Sequence, residues 1–279
     1  MNKARRVMKN MVNKKIAFMG AGNMAEALIN GFIKSSLVPC RNICASDINT
    51  KRLSYIKKKF KIGIKDSVDA VKSSDIIFLA VKPKDVGTLL EQIKDQITSH
   101  KLIISIAAGI TTKYIEKVLG KKAAVIRTMP NTPALVGAGA ISVCGGRYAG
   151  KKDIETAVKL FSSSGTVVVL KESKIDAVTA VSGSGPAYVF YLAQAMEQAG
   201  VNIGLPKDIA RKLTYKTIFG AGKMLTELSD DAENLRKKVT SPGGTTEAAI
   251  NSMSKDKFLD IVIEAVKKAE KKAKELSKR

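Results

Sequence analysis

The sequence predicts an α/β protein with a Rossmann-type N-terminal domain and an all-helical C-terminal domain. Three observations lead there. Short β-branched runs alternate with amphipathic stretches from Lys14 to about Leu170. A G-x-G-x-x-A triplet joins the first such run to the first amphipathic stretch. From Glu172 onward only helical spacing remains, which divides the chain into residues 1–170 and 171–279.

Strands are expected at residues 15–20, 42–47, 75–81, 102–106, 124–127, 140–144 and 166–170. Most are nearly continuous apolar runs, as suits strands buried on both faces of a parallel sheet. In the second half Val189, Leu192, Met196 and Ala199 form one helical stripe, and Phe258, Val262, Ala265, Val266, Ala269 and Ala273 form another. Gly183, Gly185, Ala187, Gly220 and Gly222 let helices approach closely. A helical unit this apolar packs against a second subunit, so a homodimer is expected.

With 279 residues, 45% of them apolar, the chain can bury the cores of two modest domains. No uncharged apolar run reaches the roughly 18 residues of a membrane span. The formal charge of +23 suits nucleic acid, a membrane surface or an anionic cofactor equally. Aromatic residues are only 5% and Trp is absent, so stacking platforms for nucleic acid are scarce. The lysines are spread along the whole chain, as at Lys57, Lys58, Lys59, Lys121, Lys122, Lys237, Lys238, Lys267 and Lys268. They read as solvated helix faces, with neither nucleic acid nor membrane as partner. Cys40, Cys44 and Cys144 are odd in number and lack CxxC spacing, which points to small apolar fillers, no metal site and a reducing, cytoplasmic setting. The basic, acid-free segment before Lys14 has the composition of a transit peptide but is short for one, leaving Met8 or Met11 as alternative starts.

The triplet is Gly20, Gly22 and Ala25, and its position makes Gly20, Ala21, Gly22, Asn23 and Met24 candidates for a dinucleotide pyrophosphate. The first glycine permits the turn, the second lets phosphate reach the backbone, and the helix N-terminus offers free N–H groups. Asp47 ends the second strand, 27 residues after Gly20, where a carboxylate accepts from the adenosine ribose diol of NAD. Lys51 and Arg52 follow closely, and cations there suit the 2'-phosphate of NADP, so both cofactors stay open. The plain alternative is a helix N-cap at Asp47 or Asn49. Ala80, Val81, Lys82 and Pro83, and the segment ending in Ala107, Ala108 and Gly109, close two further strands at the carboxyl edge, where α/β sheets bind ligands. Arg127, Asn131 and Thr132 lie in a proline-stiffened loop suited to wall a nicotinamide pocket.

His100 is the only histidine, and it precedes a strand at the amino edge. No His-Asp acid/base pair is available, so the chemistry must need little proton transfer from side chains, as with an imine acceptor. T-S-P-G-G-T-T at residues 240–246 opens a helix with two glycines and several hydroxyls. That is a nest of N–H donors suited to a carboxylate, or equally a capped turn with nothing bound.

The motifs I-A-F-M-G-A-G-N-M-A (residues 16–25), A-V-K-P (80–83), R-T-M-P-N-T-P (127–133), S-G-S-G-P-A-Y (182–188), G-A-G-K-M (220–224) and V-T-S-P-G-G-T-T (239–246) occur in this order. On them the chain resembles the pyrroline-5-carboxylate reductase family over nearly its whole length. The resemblance implies a Rossmann domain followed by a helical dimerisation domain, with dimers sometimes assembled into larger rings. It implies reduction of 1-pyrroline-5-carboxylate to proline, with NADPH or NADH as hydride donor. It also implies a substrate carboxylate held at the loop of Ser241, Gly243, Gly244, Thr245 and Thr246, where we expect the N–H groups of Gly244 and Thr245 to hold it. The Thr246 hydroxyl would lie near the imine nitrogen. Two departures touch the cofactor: Ser67 stands where some members carry a contacting Asn, and Lys238 replaces another. The alternatives are a related imine reductase, a β-hydroxyacid dehydrogenase on the same plan, or a non-catalytic dinucleotide-binding protein. The dehydrogenase needs a lysine on the first long interdomain helix, and residues 184–200 contain none.

Overall fold

The structure is a computed structural model and describes residues 11–278. The proposed start at Met8 and most of the basic N-terminal segment lie outside these residues.

Contacts divide the chain into two compact units, one running to Ser184 and resuming at Ala269, the other Gly185–Lys268. The first is built on an eight-stranded sheet. Its strands are β1 (Ile16–Met19), β2 (Ile43–Ser46), β3 (Gly63–Ile64), β4 (Ile76–Leu79), β5 (Leu102–Ser105), β6 (Ala124–Met129), β7 (Gly139–Gly145) and β8 (Gly165–Val169). Their order is β3-β2-β1-β4-β5-β6-β7-β8, and every pair from β3 to β6 is parallel.

Two features depart from the sequence expectation. β7 runs antiparallel to β6, because only a short turn over Thr132–Val136 joins them and a parallel return needs a crossover of about a dozen residues or more. β3 has only two residues, too few to leave a β-branched run in the sequence.

Helices cover both faces of the sheet. On one side lie α1 (Asn23–Lys34), α2 (Thr50–Phe60) and α6 (Lys151–Phe161), burying Leu28, Ile29, Phe32, Ile56, Leu160 and Phe161. On the other lie α3 (Ser67–Lys72), α4 (Val86–Ile93) and α5 (Thr112–Leu119), burying Val71, Leu90, Ile93 and Ile115. In α1 the apolar positions Ala25, Leu28, Ile29 and Phe32 fall at helical spacing on one face, so the helix starts where the glycine triplet ends. At the centre of that face Phe18 and Phe78, on neighbouring strands, stack at 4.5 Å, with Phe32 and Phe161 packed around Phe78 at 5.9 Å.

The break between units falls after Ser184 because residues 172–184 remain tied to the sheet. Arg127 of β6 is buried and pairs with Glu172 at 3.3 Å and with Asp176 of α7 (Ile175–Val178) at 3.4 Å. A five-residue π turn, Thr179–Gly183, ends that segment.

The second unit holds α8 (Gly185–Asn202), α9 (Lys207–Glu227), α10 (Ala232–Lys238), α11 (Thr245–Lys255) and the first part of α12 (Phe258–Ser277). α8 and α9 meet at Gly200, where a built Cβ would lie 3.0 Å from that of Ala210. Much of the unit's apolar surface is uncovered, including Phe190, Tyr191, Phe219 and Leu259. Among the described residues no helix is long and apolar enough to cross a membrane.

Truncating the central ring, Phe78→Ala, is expected to cost about 3–5 kcal/mol, since three neighbouring rings would line the cavity. Urea unfolding checks it, and a loss below about 1 kcal/mol would mean that the core collapses into the gap.

Candidate active site

The sheet order reverses between β1 and β4, and ligands of open α/β sheets bind at such a switch point. Gly20 and Ala80 directly follow these strands at their carboxyl ends. Gly20 has φ +102°, and a Cβ there would sit 2.6 Å from the Ala80 carbonyl oxygen, so only glycine fits. Gly22 is different. It is the N-cap of α1 with φ −66° and ψ −177°, open to any residue, and no atom lies within 4 Å of a built Cβ. Neither backbone nor packing requires glycine at position 22. A cofactor pyrophosphate approaching the helix N-terminus does require it, so the residues present fit a dinucleotide.

The other nucleotide-side candidates cluster here. Asp47 follows β2 and accepts the Ala21 N–H at 2.7 Å and the Asn49 N–H at 2.8 Å. The helix cap proper is Asn49, which accepts from the Arg52 N–H at 3.0 Å. Ser67 opens α3 and its hydroxyl lies 3.1 Å from that of Ser46 at the end of β2. Lys51 is exposed. Arg52 is instead engaged internally: its Nε donates to the Ala21 carbonyl at 2.6 Å and its Nη2 pairs with Glu26. Tyr55 and Lys59 donate to the same Glu26 carboxylate. Burial pushes the Glu26 carboxyl up, but hydrogen bonds from Lys59, Arg52 and Tyr55 outweigh this and hold it below the usual carboxylate range. Sequence reasoning singled out Arg52 but missed its partners Glu26, Tyr55 and Lys59; the only trace was Glu26 in the first turns of α1 with cations on α2. Ile48, beside Asp47, is fully exposed, an apolar side chain left in water at the nucleotide corner.

Val81, Lys82 and Pro83 lead from Ala80 into a helical turn, with Lys82 and Pro83 exposed. Ala107, Ala108 and Gly109 follow β5, with Ala107 buried. Gly109, at φ +74°, lies against the last turn of α12, and a Cβ there would be 3.0 Å from Leu276.

Arg127 and Asn131 are not free to wall a pocket. The Arg127 guanidinium faces Glu172, Asp176 and the Ser277 hydroxyl. The Asn131 amide donates to the Ser182 carbonyl at 3.0 Å and accepts from the Ala140 N–H at 2.9 Å, which holds the β6–β7 turn. Glu172 also takes the N–H and hydroxyl of Thr112 at the start of α5. His100 is exposed just before β5, at the amino edge. Cys40, Cys44 and Cys144 are all free thiols, and burial, with Glu172 nearby, pushes Cys144 up to about 12. Among the described residues no cluster could hold a metal ion.

In the second unit the T-S-P-G-G-T-T loop ends at Gly244, the N-cap of α11. Gly243, at φ +71°, donates its N–H to the Glu247 carboxylate at 2.7 Å, a variant of the capping box. Gly244 donates to the Ser241 carbonyl at 3.0 Å. Of the expected donors Gly244 and Thr245, the first is therefore taken; the N–H groups of Thr245, Thr246 and Glu247 precede the first intrahelical bond, which Ala248 makes to Gly244. Thr245 is exposed and Thr246 half-buried. Lys238 pairs with Asp230 at 2.6 Å.

Together these features define a dinucleotide-dependent oxidoreductase fold. Residues 15–109 match a family described as NADP oxidoreductase, coenzyme F420-dependent, and residues 172–276 match pyrroline-5-carboxylate reductase dimerisation. A pyrroline-5-carboxylate reductase of Methanosarcina acetivorans is 40% identical over 96% of this chain and all of its own length. A solved structure of the enzyme from Coxiella burnetii superposes with TM-score 0.89 at 36% identity, covering 96% of this chain and 100% of that one. That of Plasmodium falciparum pyrroline carboxylate reductase, with NADP bound, gives 0.86 at 32% identity over 96% and 99%. The chain belongs to the pyrroline-5-carboxylate reductase family.

The two glycines should respond differently to an added methyl. Gly20→Ala is expected to lower both stability and NADPH affinity, the latter at least about tenfold, from backbone strain of roughly 1–3 kcal/mol and the clash with Ala80. Gly22→Ala should keep the wild-type melting temperature yet still weaken NADPH binding in a fluorescence titration. Unchanged affinity in Gly22→Ala would place the pyrophosphate elsewhere.

Proposed function

We propose that this chain reduces 1-pyrroline-5-carboxylate to L-proline, the last step of proline biosynthesis, using NADPH with NADH also usable. Family membership across both units is the observation that carries this reading. Dinucleotide binding is assigned to residues 1–170, substrate binding and dimerisation to 171–279.

On the nucleotide side, Gly20, Ala21, Gly22, Asn23 and Met24 receive the pyrophosphate. Asp47, Lys51, Arg52 and Ser67 surround the adenosine end, and Ala80, Val81, Lys82, Pro83, Ala107, Ala108 and Gly109 line the carboxyl edge toward the nicotinamide. When bound, the reduced nicotinamide supplies hydride to the imine carbon. On the substrate side, the loop from Ser241 through Gly243 and Gly244 shapes the start of α11. The N–H groups of Thr245 and Thr246 hold the carboxylate there, and the Thr246 hydroxyl orients and polarises the imine. The imine nitrogen is itself basic and takes up its proton from water to balance the hydride, so no side chain needs to supply one, in keeping with a chain whose one histidine lies at the far edge.

The uncovered apolar surface of the second unit supports a homodimer through that unit, or a larger homo-oligomer built from such dimers. Three free cysteines agree with a cytoplasmic setting.

Purified protein should oxidise NADPH only when 1-pyrroline-5-carboxylate is supplied; folded protein inert with both cofactors would end this reading. Thr246→Val should lower kcat/KM by roughly ten- to a hundredfold, the size of a lost hydrogen bond to a charged group, with NADPH affinity nearly unchanged. With Arg52 already paired, Lys51 is the cation left for the 2'-phosphate. Lys51→Ala should therefore raise KM for NADPH and leave that for NADH alone, and equal changes would refute 2'-phosphate recognition at this corner.

A further inference from the structure

The Gly20–Gly22 turn is held from two sides. Asp47 accepts the Ala21 N–H, which fixes the plane of the peptide between Gly20 and Ala21. Arg52 Nε donates to the Ala21 carbonyl at 2.6 Å, which fixes the next plane, between Ala21 and Gly22. Because that peptide is planar and trans, holding its carbonyl also sets the direction of the Gly22 N–H on the opposite side. Gly22 is the N-cap of α1, so this N–H has no intrahelical partner and belongs to the set that faces an anion. A guanidinium on the carbonyl also polarises the peptide and makes its N–H a better donor.

The guanidinium is itself well fixed. The Asn49 cap holds the Arg52 backbone, Glu26 on α1 holds Nη2, and the Tyr55 ring lies 5.1 Å from the guanidinium carbon. Lys59 donates to Glu26 at 2.7 Å and to the Tyr55 hydroxyl at 2.9 Å, which restrains the carboxylate in turn. The cluster joins the first turn of α1 to the length of α2, from Arg52 to Lys59, beside the glycine turn.

We propose that Arg52 is a positioning residue for the cofactor pyrophosphate, acting through the Ala21–Gly22 peptide, and that it makes no distinction between NADPH and NADH. Glu26 holds Arg52 in this role, and discrimination at the 2'-phosphate falls to other groups. The inference rests on the dinucleotide reading of the glycine turn given above.

The test measures dissociation constants by nucleotide fluorescence for both cofactors, and competition by inorganic pyrophosphate, which shares only the central part of the ligand. Arg52→Ala should weaken NADPH, NADH and pyrophosphate by a common factor of about ten, with the kinetic loss falling on KM rather than on kcat. Arg52→Lys keeps the charge but loses the planar fork, and should recover less than half of the loss on a logarithmic scale. Glu26→Gln leaves Arg52 in place and should shift all three ligands in the same direction by a smaller factor, which keeps the test open if Arg52→Ala unfolds. A loss confined to NADPH would make Arg52 a 2'-phosphate ligand and overturn the proposal, as would unchanged affinity for all three. Wild-type protein that binds neither cofactor would instead remove the dinucleotide reading itself, and this proposal with it.

Discussion

The carboxyl edge of the sheet at its switch point depends on one close approach, that of the Gly20 backbone to the carbonyl of Ala80, where a methyl group would lie 2.6 Å from the oxygen. β1 and β4 are hydrogen-bonded neighbours, and the chain must leave β1 sharply to start α1 without striking the segment that leaves β4. A positive φ at a residue without Cβ satisfies both demands. Once that turn is made, α1 begins at Asn23 with its N-terminus at the sheet's switch point and Phe32 directed into the aromatic cluster.

Charge is used locally within this frame. Although the chain carries a net charge of +23, several cations of the first unit are matched: Arg52 and Lys59 share Glu26 beside the glycine turn, and Arg127 on β6 faces Glu172 and Asp176. These pairs orient backbone and loops. Glu172 fixes the N-terminus of α5, and the Ser277 hydroxyl donates to Asp176 at 2.8 Å, so the last turn of α12 joins the same group. Partly buried ion pairs of this kind contribute little net stability, so they hold geometry more than they add stability.

The two units also differ in how complete they are. The first buries both faces of its central strands under helices and leaves Val168 and Val169 exposed on the edge strand β8. The second leaves aromatic side chains, such as Phe190 and Tyr191, largely exposed in the single chain, although the helices themselves are regular. Its sequence stripes were therefore legible as helical while their burial was not.

The sequence by itself determined the alternation of strands and helices, the glycine turn and the helical second half, because periodicity and glycine placement are local properties of the chain. It also offered Asp47 or Asn49 as a cap, of which the helix uses Asn49, and residues 240–246 as a helix start, since capping involves residues three or four positions apart. Tertiary structure decided which polar groups were already taken. Arg52 and Lys51 are adjacent and look alike in sequence, yet one is bound to Glu26 and the Ala21 carbonyl, 26 and 31 residues away, and the other is exposed. Arg127 and Asn131 looked like pocket residues until Glu172 and Ser182 were found against them. The direction of β7 was likewise decided in space, although the short turn before it carried the constraint. Hydrogen-bond partners distant along the chain leave no period in the sequence, so only the folded arrangement reveals which donors remain for a ligand.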